Sequence, residues 1–469
     1  MNDAPEPMPS YVGEILDPNW TPDGKIAETV APPRLEGQPE FPKPGIYFGM
    51  DEEEYHAVPA CSTSGLKKLS VSNMDYWATS HLNPDKPDVQ RDYFDYGKAI
   101  HAFVLEGEGA YIDRFAVELD EADYEGQGVI TSTDEIKAAI GCFTETVPVR
   151  PASGGKQPLI DQLSELAARH ERPVDLEGTV AELKERIKEY EEEQPVRPSS
   201  RVEDETPEGE TFMRTANKAD WIKQLLELKP EAMVWDKMTA DHRAKHEGKT
   251  FITAQQDRRI RISVKMITAH EEISKAFTGG YAEVSIFWYC RKTGAPIKAR
   301  MDYLKMRTIV DLKSFGNNAG MPIDRAIERT IANYRYNLQH VIYVEAAMEA
   351  KRMIREAMEK GEHLCSVINI PDQRAPENYI AIYSWCAKWA AQKEEPGFIF
   401  VFQQSGIAPV TRGKIMPTNT VYSVTSRRAE ELKRKWVECA QEYATLPWLD
   451  IQPIDTIDDE AIPLHSTEL

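Results

Sequence analysis

The 469-residue sequence contains no run of eighteen apolar residues, so no stretch of it reads as a membrane-spanning helix. Its opening, MNDAPEPMPSYVGEILDPNW, is acidic and proline-rich where a secretory signal would be basic and then apolar, which predicts a cytoplasmic protein. Cysteine is sparse. The six residues (Cys61, Cys142, Cys290, Cys365, Cys386 and Cys439) are scattered, with no C-x-x-C pair and no ligand-like cluster. That spacing argues against a disulfide framework and against zinc or iron–sulfur sites, and leaves reduced core residues. Net positive charge is lacking as well: the formal −21 argues against a chain that grips a phosphate backbone along its whole length.

The acid is unevenly placed. Residues 1–54 carry twelve acids and three bases, and residues 450–469 carry six acids and no Lys or Arg. Residues 251–360 reverse the balance, with nineteen bases and twelve acids. A basic middle between acidic ends suits a DNA channel, and suits a solvated mixed-charge surface equally well. Length alone predicts two or three domains. Residues 1–44 are rich in Pro, Asp and Glu and read as a disordered or loosely attached arm, and residues 450–469 as an acidic tail. Order is expected from residue 45. There Ser62 or Ser64 can cap a helix carrying Leu66 and Leu69. A second helix, FDYGKAIHAFVLEGE, sets Gly97 and His101 four apart on one face.

Residues 124–231 change character and read as a helical module inserted between a segment at 45–123 and a larger core at 232–449. Four helical units, STDEIKAAI, KQPLIDQLSELAARH, TVAELKERIKEYEEE and NKADWIKQLLEL, are separated by polar stretches. The first with the second, and the third with the fourth, look like two copies of one pattern. It resembles the helix-extended-loop-helix relatives of SAP domains found in phage and nucleic-acid proteins. An acidic helical spacer accounts for the same composition.

Beyond the module, GKTFITAQQDRRIRISVKMITAHEEISKAF reads as a basic helix. AEVSIFWYC, PIKARMDYL and TIVDLKS read as strands, joined first by a turn at KTGAP. A long helix over residues 324–360, further strands at YIAIYSWC and GFIFVFQQ, and a closing amphipathic helix, SRRAEELKRKWVECAQEYA, complete a mixed sheet flanked by helices, an α/β class.

The strand segment RMDYLKMRTIVDLKS sets two acids and a lysine among apolar residues, a costly placement unless the charges are paired or bind a metal. Period two puts Ile309, Asp311 and Lys313 on one face of their strand. A hairpin turning near KMRT would bring Asp302 close to Asp311 across the ladder. Two carboxylates so placed repel unless a divalent cation lies between them, and Mg²⁺ suits such a pair. Glu283 reads either as a third carboxylate of this patch or as a solvent-facing strand residue, and His101 either as a metal ligand or as a structural histidine. Along the following helix, Tyr336, Gln339 and Tyr343 form a stripe, and a glutamine between tyrosines suits a surface that meets a substrate backbone.

Taken in order, GIYFGMDEEEYHA, STSGLKKLSVSNMDYWA, YGKAIHAFVLEGE, GKTFITAQQDRRI, AEVSIFWYCRKTGAPIKARMDYL, TIVDLKS and YRYNLQHVIYVEA resemble the RecE-type exonucleases. These enzymes (exonuclease VIII) belong to the PD-(D/E)xK superfamily with lambda exonuclease and the RecB nuclease domain. The resemblance implies a restriction-endonuclease-like α/β fold. It implies catalytic roles for Asp302, Asp311, Lys313 and Glu283, metal ligation by His101, Asp302 and Asp311, and DNA contact by Gln339 and Tyr343 as a Q-x-x-x-Y motif. The implied cofactor is Mg²⁺, with Mn²⁺ able to substitute. The implied activity is 5′-to-3′ digestion of double-stranded DNA ends, leaving 3′ tails for a RecT-like single-strand annealing protein. The implied setting is a phage or prophage in a bacterial host cell, and the implied assembly a homo-oligomer such as a tetramer. Two departures stand out: Met301 replaces a proline common in relatives, and the inserted module bears on whether a ring-shaped assembly is kept. A single-strand exonuclease or structure-specific endonuclease of the same fold is the nearest alternative. A non-catalytic DNA-binding adaptor is the alternative of another class, against which the intact Asp, Asp and Lys set argues.

Overall fold

A computed structural model describes residues 26–86, 92–141, 155–169, 173–192, 203–205, 211–213, 217–371, 376–406 and 409–450. The chain divides into two compact units, Met1–Phe115 with Gln255–Leu469, and Ala116–Ala254. The second unit is wider at both ends than the module expected at 124–231. The acidic tail and most of the N-terminal arm lie outside the described residues, as does Cys142; the other five cysteines are free thiols. Among the described residues no helix is long and apolar enough to cross a membrane.

The first unit is built on an eight-stranded mixed sheet. In chain order its strands are β1 (Gly45–Tyr47), β2 (Cys61–Ser62), β3 (Tyr281–Tyr289), β4 (Pro296–Leu304), β5 (Thr308–Phe315), β6 (Ile368–Asn369), β7 (Gly397–Gln404) and β8 (Thr411–Ile415). Their spatial order is β6-β1-β3-β4-β5-β7-β8, with β2 added beside β4. The strands β3, β4 and β5 form the antiparallel meander that their alternation predicts, and β7 lies parallel to β5. Residues 26–30, part of the arm expected to be loose, instead run across the β3–β4 turn. The Ala27 N–H donates to the Arg291 carbonyl at 2.8 Å and the Val30 N–H to that of Gly294 at 2.9 Å. Glycine is required at 294: φ is +74°, and a Cβ there would stand 1.9 Å from the Glu28 carbonyl oxygen.

Helices cover both faces. Ser62 caps α1 (Thr63–Leu69) by accepting from the Gly65 N–H at 3.1 Å. After α2 (Asp92–His101) come α3 (Ile323–Asn333), α4 (Tyr336–Glu359), α5 (Pro376–Ala390) and α6 (Thr420–Tyr443). The main core joins Ile297, Ala299, Met301 and Ile309 of the sheet to Ile342, Ala346 and Ala350 of α4 and Leu432 and Trp436 of α6. A smaller core on the other face gathers Leu105, Ile267, Ile273, Val310, Leu312 and Val401.

Two expected elements differ. The helix predicted over 324–360 is broken, because Arg335 adopts a left-handed conformation (φ +51°, ψ +47°) between α3 and α4. YIAIYSWC forms part of α5 and is not a strand: Ile382, Cys386 and Trp389 are all buried at spacings of four and three, a helical stripe hidden among β-favouring residues.

In the second unit the four predicted helical units are helices, at Thr133–Gly141, Lys156–Arg169, Val180–Glu192 and Lys218–Leu228. They do not pair in sequence order. The outer two share one core (Ile136, Ile140, Trp221, Leu225) and the inner two another (Leu159, Leu163, Leu183, Ile187). The two helical hairpins are therefore nested, one within the other's connection.

Candidate active site

The pleat of the sheet slips where the acids sit. On β4, Ile297, Ala299 and Met301 face the main core, and strict alternation would send Tyr303 there too. Tyr303 instead joins the smaller core on the opposite face, and Leu304 the main one. β3 changes phase at the same level, with Val284, Ile286 and Trp288 in the main core and Ala282 against the smaller one. The residues at the change are Asp302 and Glu283. Glu283 has φ +53°, a left-handed backbone inside a strand that costs on the order of 1–3 kcal/mol and collects at functional sites. Pairing keeps one register on either side of it, so Glu283 stands opposite Asp302.

β4 and β5 pair through Tyr303 with Val310 and Leu304 with Ile309. One step further along that register, Asp302 faces Asp311. There a side chain enters the ladder: Asp302 Oδ2 accepts the Leu312 N–H at 2.7 Å. His101 ends α2 just before a π-helical turn, Ala102–Glu106, and its Nδ1 lies 3.7 Å from the same carboxylate oxygen. Leu105, buried in the smaller core, holds that turn in place. Donor atoms of His101, Glu283 and Asp302 all lie within 4.8 Å of one another. Arg300 fixes the Glu283 carboxylate, with Nε donating to Oε2 at 2.6 Å, while one of its terminal nitrogens donates to the Met50 carbonyl at 2.8 Å and to Ser285 Oγ at 3.3 Å.

Asp311 exposes 0% of its surface. Its Oδ1 forms an ion pair with Lys313 Nζ, and its Oδ2 accepts from Gln339 Nε2 at 2.6 Å. Burial first, and then the neighbouring Asp302, push the Asp311 carboxyl up to about 6 against the pull of Lys313. Burial likewise raises Asp302 and Glu283. Burial by itself would depress Lys313, but Asp311 and Asp302 outweigh it and hold the ammonium above its ordinary value. His101 is lowered by burial and then by Lys313, which favours the neutral imidazole that a metal ligand must present.

Of the residues singled out for the site, His101, Glu283, Asp302, Asp311, Lys313 and Gln339 come together here, though not all in the expected posture. Gln339 and Tyr343, expected to face DNA, are both buried: α4 turns that stripe toward the sheet, so Gln339 binds Asp311 and Tyr343 joins the main core near Phe398. Asp311, expected as a metal ligand, directs its oxygens at Lys313 and Gln339, and Glu283 completes the three-donor group with His101 and Asp302.

Lys67 also belongs to the cluster, without a signal in the sequence. Its Nζ donates to Gln339 Oε1 at 3.4 Å and sits 4.7 Å above the Tyr336 ring, whose centroid is also 5.4 Å from Lys313 Nζ. Burial, then repulsion from Lys313, lowers Lys67 to about 7. Arg335 ties this wall together, one guanidinium nitrogen donating to the Lys67 carbonyl at 2.9 Å and to Ser70 Oγ.

The donor set fits a hard divalent cation. It offers one imidazole and two carboxylates at close quarters with a third carboxylate across the ladder, the chemistry that Mg²⁺ and Mn²⁺ accept. Burial raises the proton affinity of all three carboxyls, and the Asp302 charge raises Glu283 and Asp311 further, so a bound cation would offset charge that the bare site disfavours.

Residues 221–358, which hold Glu283, Asp302, Asp311, Lys313, Gln339 and Tyr343, match the family described as PDDEXK-like domain of unknown function (DUF3799). Residues 155–272 match the family described as DNA packaging protein FI. A crystal structure of an inferred exonuclease from Eubacterium rectale is 12% identical, covering 68% of this chain and 84% of that one, with a TM-score of 0.23. No curated protein matches the chain. Residues 221–358 thus carry a PDDEXK-like domain, and the mixed sheet flanked by helices is the α/β fold that the sequence resemblance implied.

Proposed function

We propose that the protein is a divalent-metal-dependent exodeoxyribonuclease that digests double-stranded DNA ends from 5′ to 3′ and leaves 3′ single strands for annealing by a RecT-like partner. The observation that carries the hydrolytic part is the convergence of His101, Glu283, Asp302, Asp311 and Lys313 where two strands slip phase. The polarity, the annealing partner, an oligomeric ring and a phage setting rest on the resemblance to RecE-type enzymes. The match of residues 155–272 to DNA packaging proteins supports a role on DNA.

A Mg²⁺ or Mn²⁺ ion held by His101, Asp302 and Glu283, to which the RecE-type resemblance would add Asp311, would acidify a water molecule and offset charge on the scissile phosphate. The chain's own groups set the rest. Lys313 keeps its proton at neutral pH, so Nζ serves as a donor that orients the attacking water or stabilises the charge growing on phosphorus, and not as the base. Asp311 fixes that ammonium, and Gln339 fixes Asp311. The neutral His101 ring offers a lone pair. In the reaction a water oxygen bonds to phosphorus as that water releases a proton to solvent, the bond from phosphorus to the leaving oxygen breaks, and the leaving oxygen takes up a proton from solvent.

The test is digestion of linear duplex DNA labelled at the 5′ or the 3′ end, with and without Mg²⁺, beside a closed circle. Metal-dependent release of the 5′ label with the circle intact is expected. Cutting of the circle would make the protein an endonuclease, and binding without cleavage would make it an adaptor.

A further inference from the structure

The junction between α3 and α4 holds a feature the hydrolytic site does not use. Tyr334 and Tyr336 are two residues apart, a spacing that points side chains away from each other on a helix. Here they stack, ring centroids 5.8 Å apart and planes 19° from parallel, because Arg335 between them is left-handed. Such a backbone is costly for a non-glycine residue and persists only when its surroundings hold it, which the Arg335 bonds to Lys67 and Ser70 do. Tyr336 is the inner ring. It lies against Phe400 and under the ammonium groups of Lys67 and Lys313. Tyr334 is the outer ring and is 62% exposed. A large aromatic surface thus stands open to solvent, one ring away from the lysine of the acid cluster, with a second lysine beside it.

We propose that Tyr334, backed by Tyr336, is a stacking platform for an unpaired nucleobase of the substrate strand, next to the phosphate that Lys313 and Lys67 face. The proposal rests on the nuclease reading. An aromatic face accepts any base, and a flanking ammonium holds the adjoining phosphate, the combination that single-stranded nucleic acid requires. Tyr336 alone separates the exposed ring from Lys313, so the occupant argued for is the same strand and not a separate partner. An end-digesting enzyme must unpair the terminal nucleotide to bring its phosphate to a recessed site, and a platform here would hold the freed base.

The test compares Tyr334→Phe and Tyr334→Leu with the wild type on duplexes carrying either an intact terminal nucleotide or an abasic one. Stacking on one aromatic residue predicts a KM raised about ten-fold by Tyr334→Leu on intact ends, with kcat within about two-fold and Tyr334→Phe like wild type. On abasic ends the wild type should lose the same factor and Tyr334→Leu nothing further, as coupled partners do. A second arm needs no cleavage: in EDTA, a terminal 2-aminopurine should be quenched on binding wild type and Tyr334→Phe but not Tyr334→Leu. Wild-type KM in Tyr334→Leu, equal abasic losses in both proteins, or equal quenching would overturn the platform. Absence of cleavage by the wild type would instead sink the nuclease reading, leaving the fluorescence arm to decide the platform.

Discussion

Ionised Asp311 would be an isolated charge in the protein interior but for Lys313 and Gln339, and even with them its carboxyl is raised to about 6 from 3.8. The folded chain therefore keeps this proton to higher pH than the unfolded chain does. In metal-free protein the group's contribution to stability is present at low pH and is lost as pH rises through about 6. Asp311→Asn should cancel that loss. The melting temperature of the variant minus that of the wild type, both in EDTA, should grow from pH 5 to pH 8, while cleavage falls about a thousand-fold or more. A difference that is flat with pH would mean that Asp311 is not strained by its neighbours. Asp302, Asp311 and Lys313 were legible in the sequence because charge in an apolar strand breaks the local composition. Lys67 was not: Leu-Lys-Lys-Leu in a short helix has the composition of a solvated face, and only the packing of α4 beside it brings Nζ to Gln339. The Tyr336, Gln339 and Tyr343 stripe was legible as a stripe, but spacing does not say whether a stripe faces water or sheet.

Strand and helix order followed from periodicity wherever one period ran unbroken, as in β5, β7 and α6. It failed where a long-range contact overrides a local rule. The phase slip at Glu283 and Asp302 has no signature in a single strand, since each half of β3 and β4 alternates normally on its own. The break at Arg335 lies inside a sequence with no proline or glycine, and is held by bonds to residues far away in the chain. Lys298 of β4 shows the same dependence at an element's end. Its Nζ donates to the carbonyls of Tyr55, His56 and Val58 at 2.9, 3.1 and 2.7 Å, closing the C-terminus of the helix Glu52–Ala57 against the sheet. Burial lowers it to about 7. Lys298→Met would keep the volume and leave three carbonyls without their donor, so urea unfolding should show a loss of about 3 kcal/mol. A change below about 0.5 kcal/mol would show that water replaces the ammonium there.

Across the whole chain, composition revealed that a helical module interrupts the sequence that builds the sheet but not how its helices pair. Sequence similarity joined neighbours along the chain; burial joins the outer pair and the inner pair, whose apolar faces meet in two separate cores. Leu163→Ala, a cavity worth about 2–5 kcal/mol, should speed hydrogen exchange in Lys156–Arg169 and Val180–Glu192 and leave Thr133–Gly141 and Lys218–Leu228 as they were. Faster exchange in Thr133–Gly141 together with Lys156–Arg169 alone would restore the sequential pairing. The charge asymmetry was also readable, and it places the basic excess on the segment that builds β3, β4, β5 and α4, the elements that carry the acid cluster.

The central claim is that this cluster hydrolyses DNA with a divalent metal. The most direct measurement is the initial rate of nucleotide release from linear duplex DNA against Mg²⁺ concentration, for wild type and Asp302→Asn at equal, folded concentrations. A rate that is zero in EDTA, saturates with Mg²⁺ in the wild type and stays at least about a hundred-fold lower in the variant is predicted. Equal rates in the two proteins, or release that ignores the metal, would contradict it.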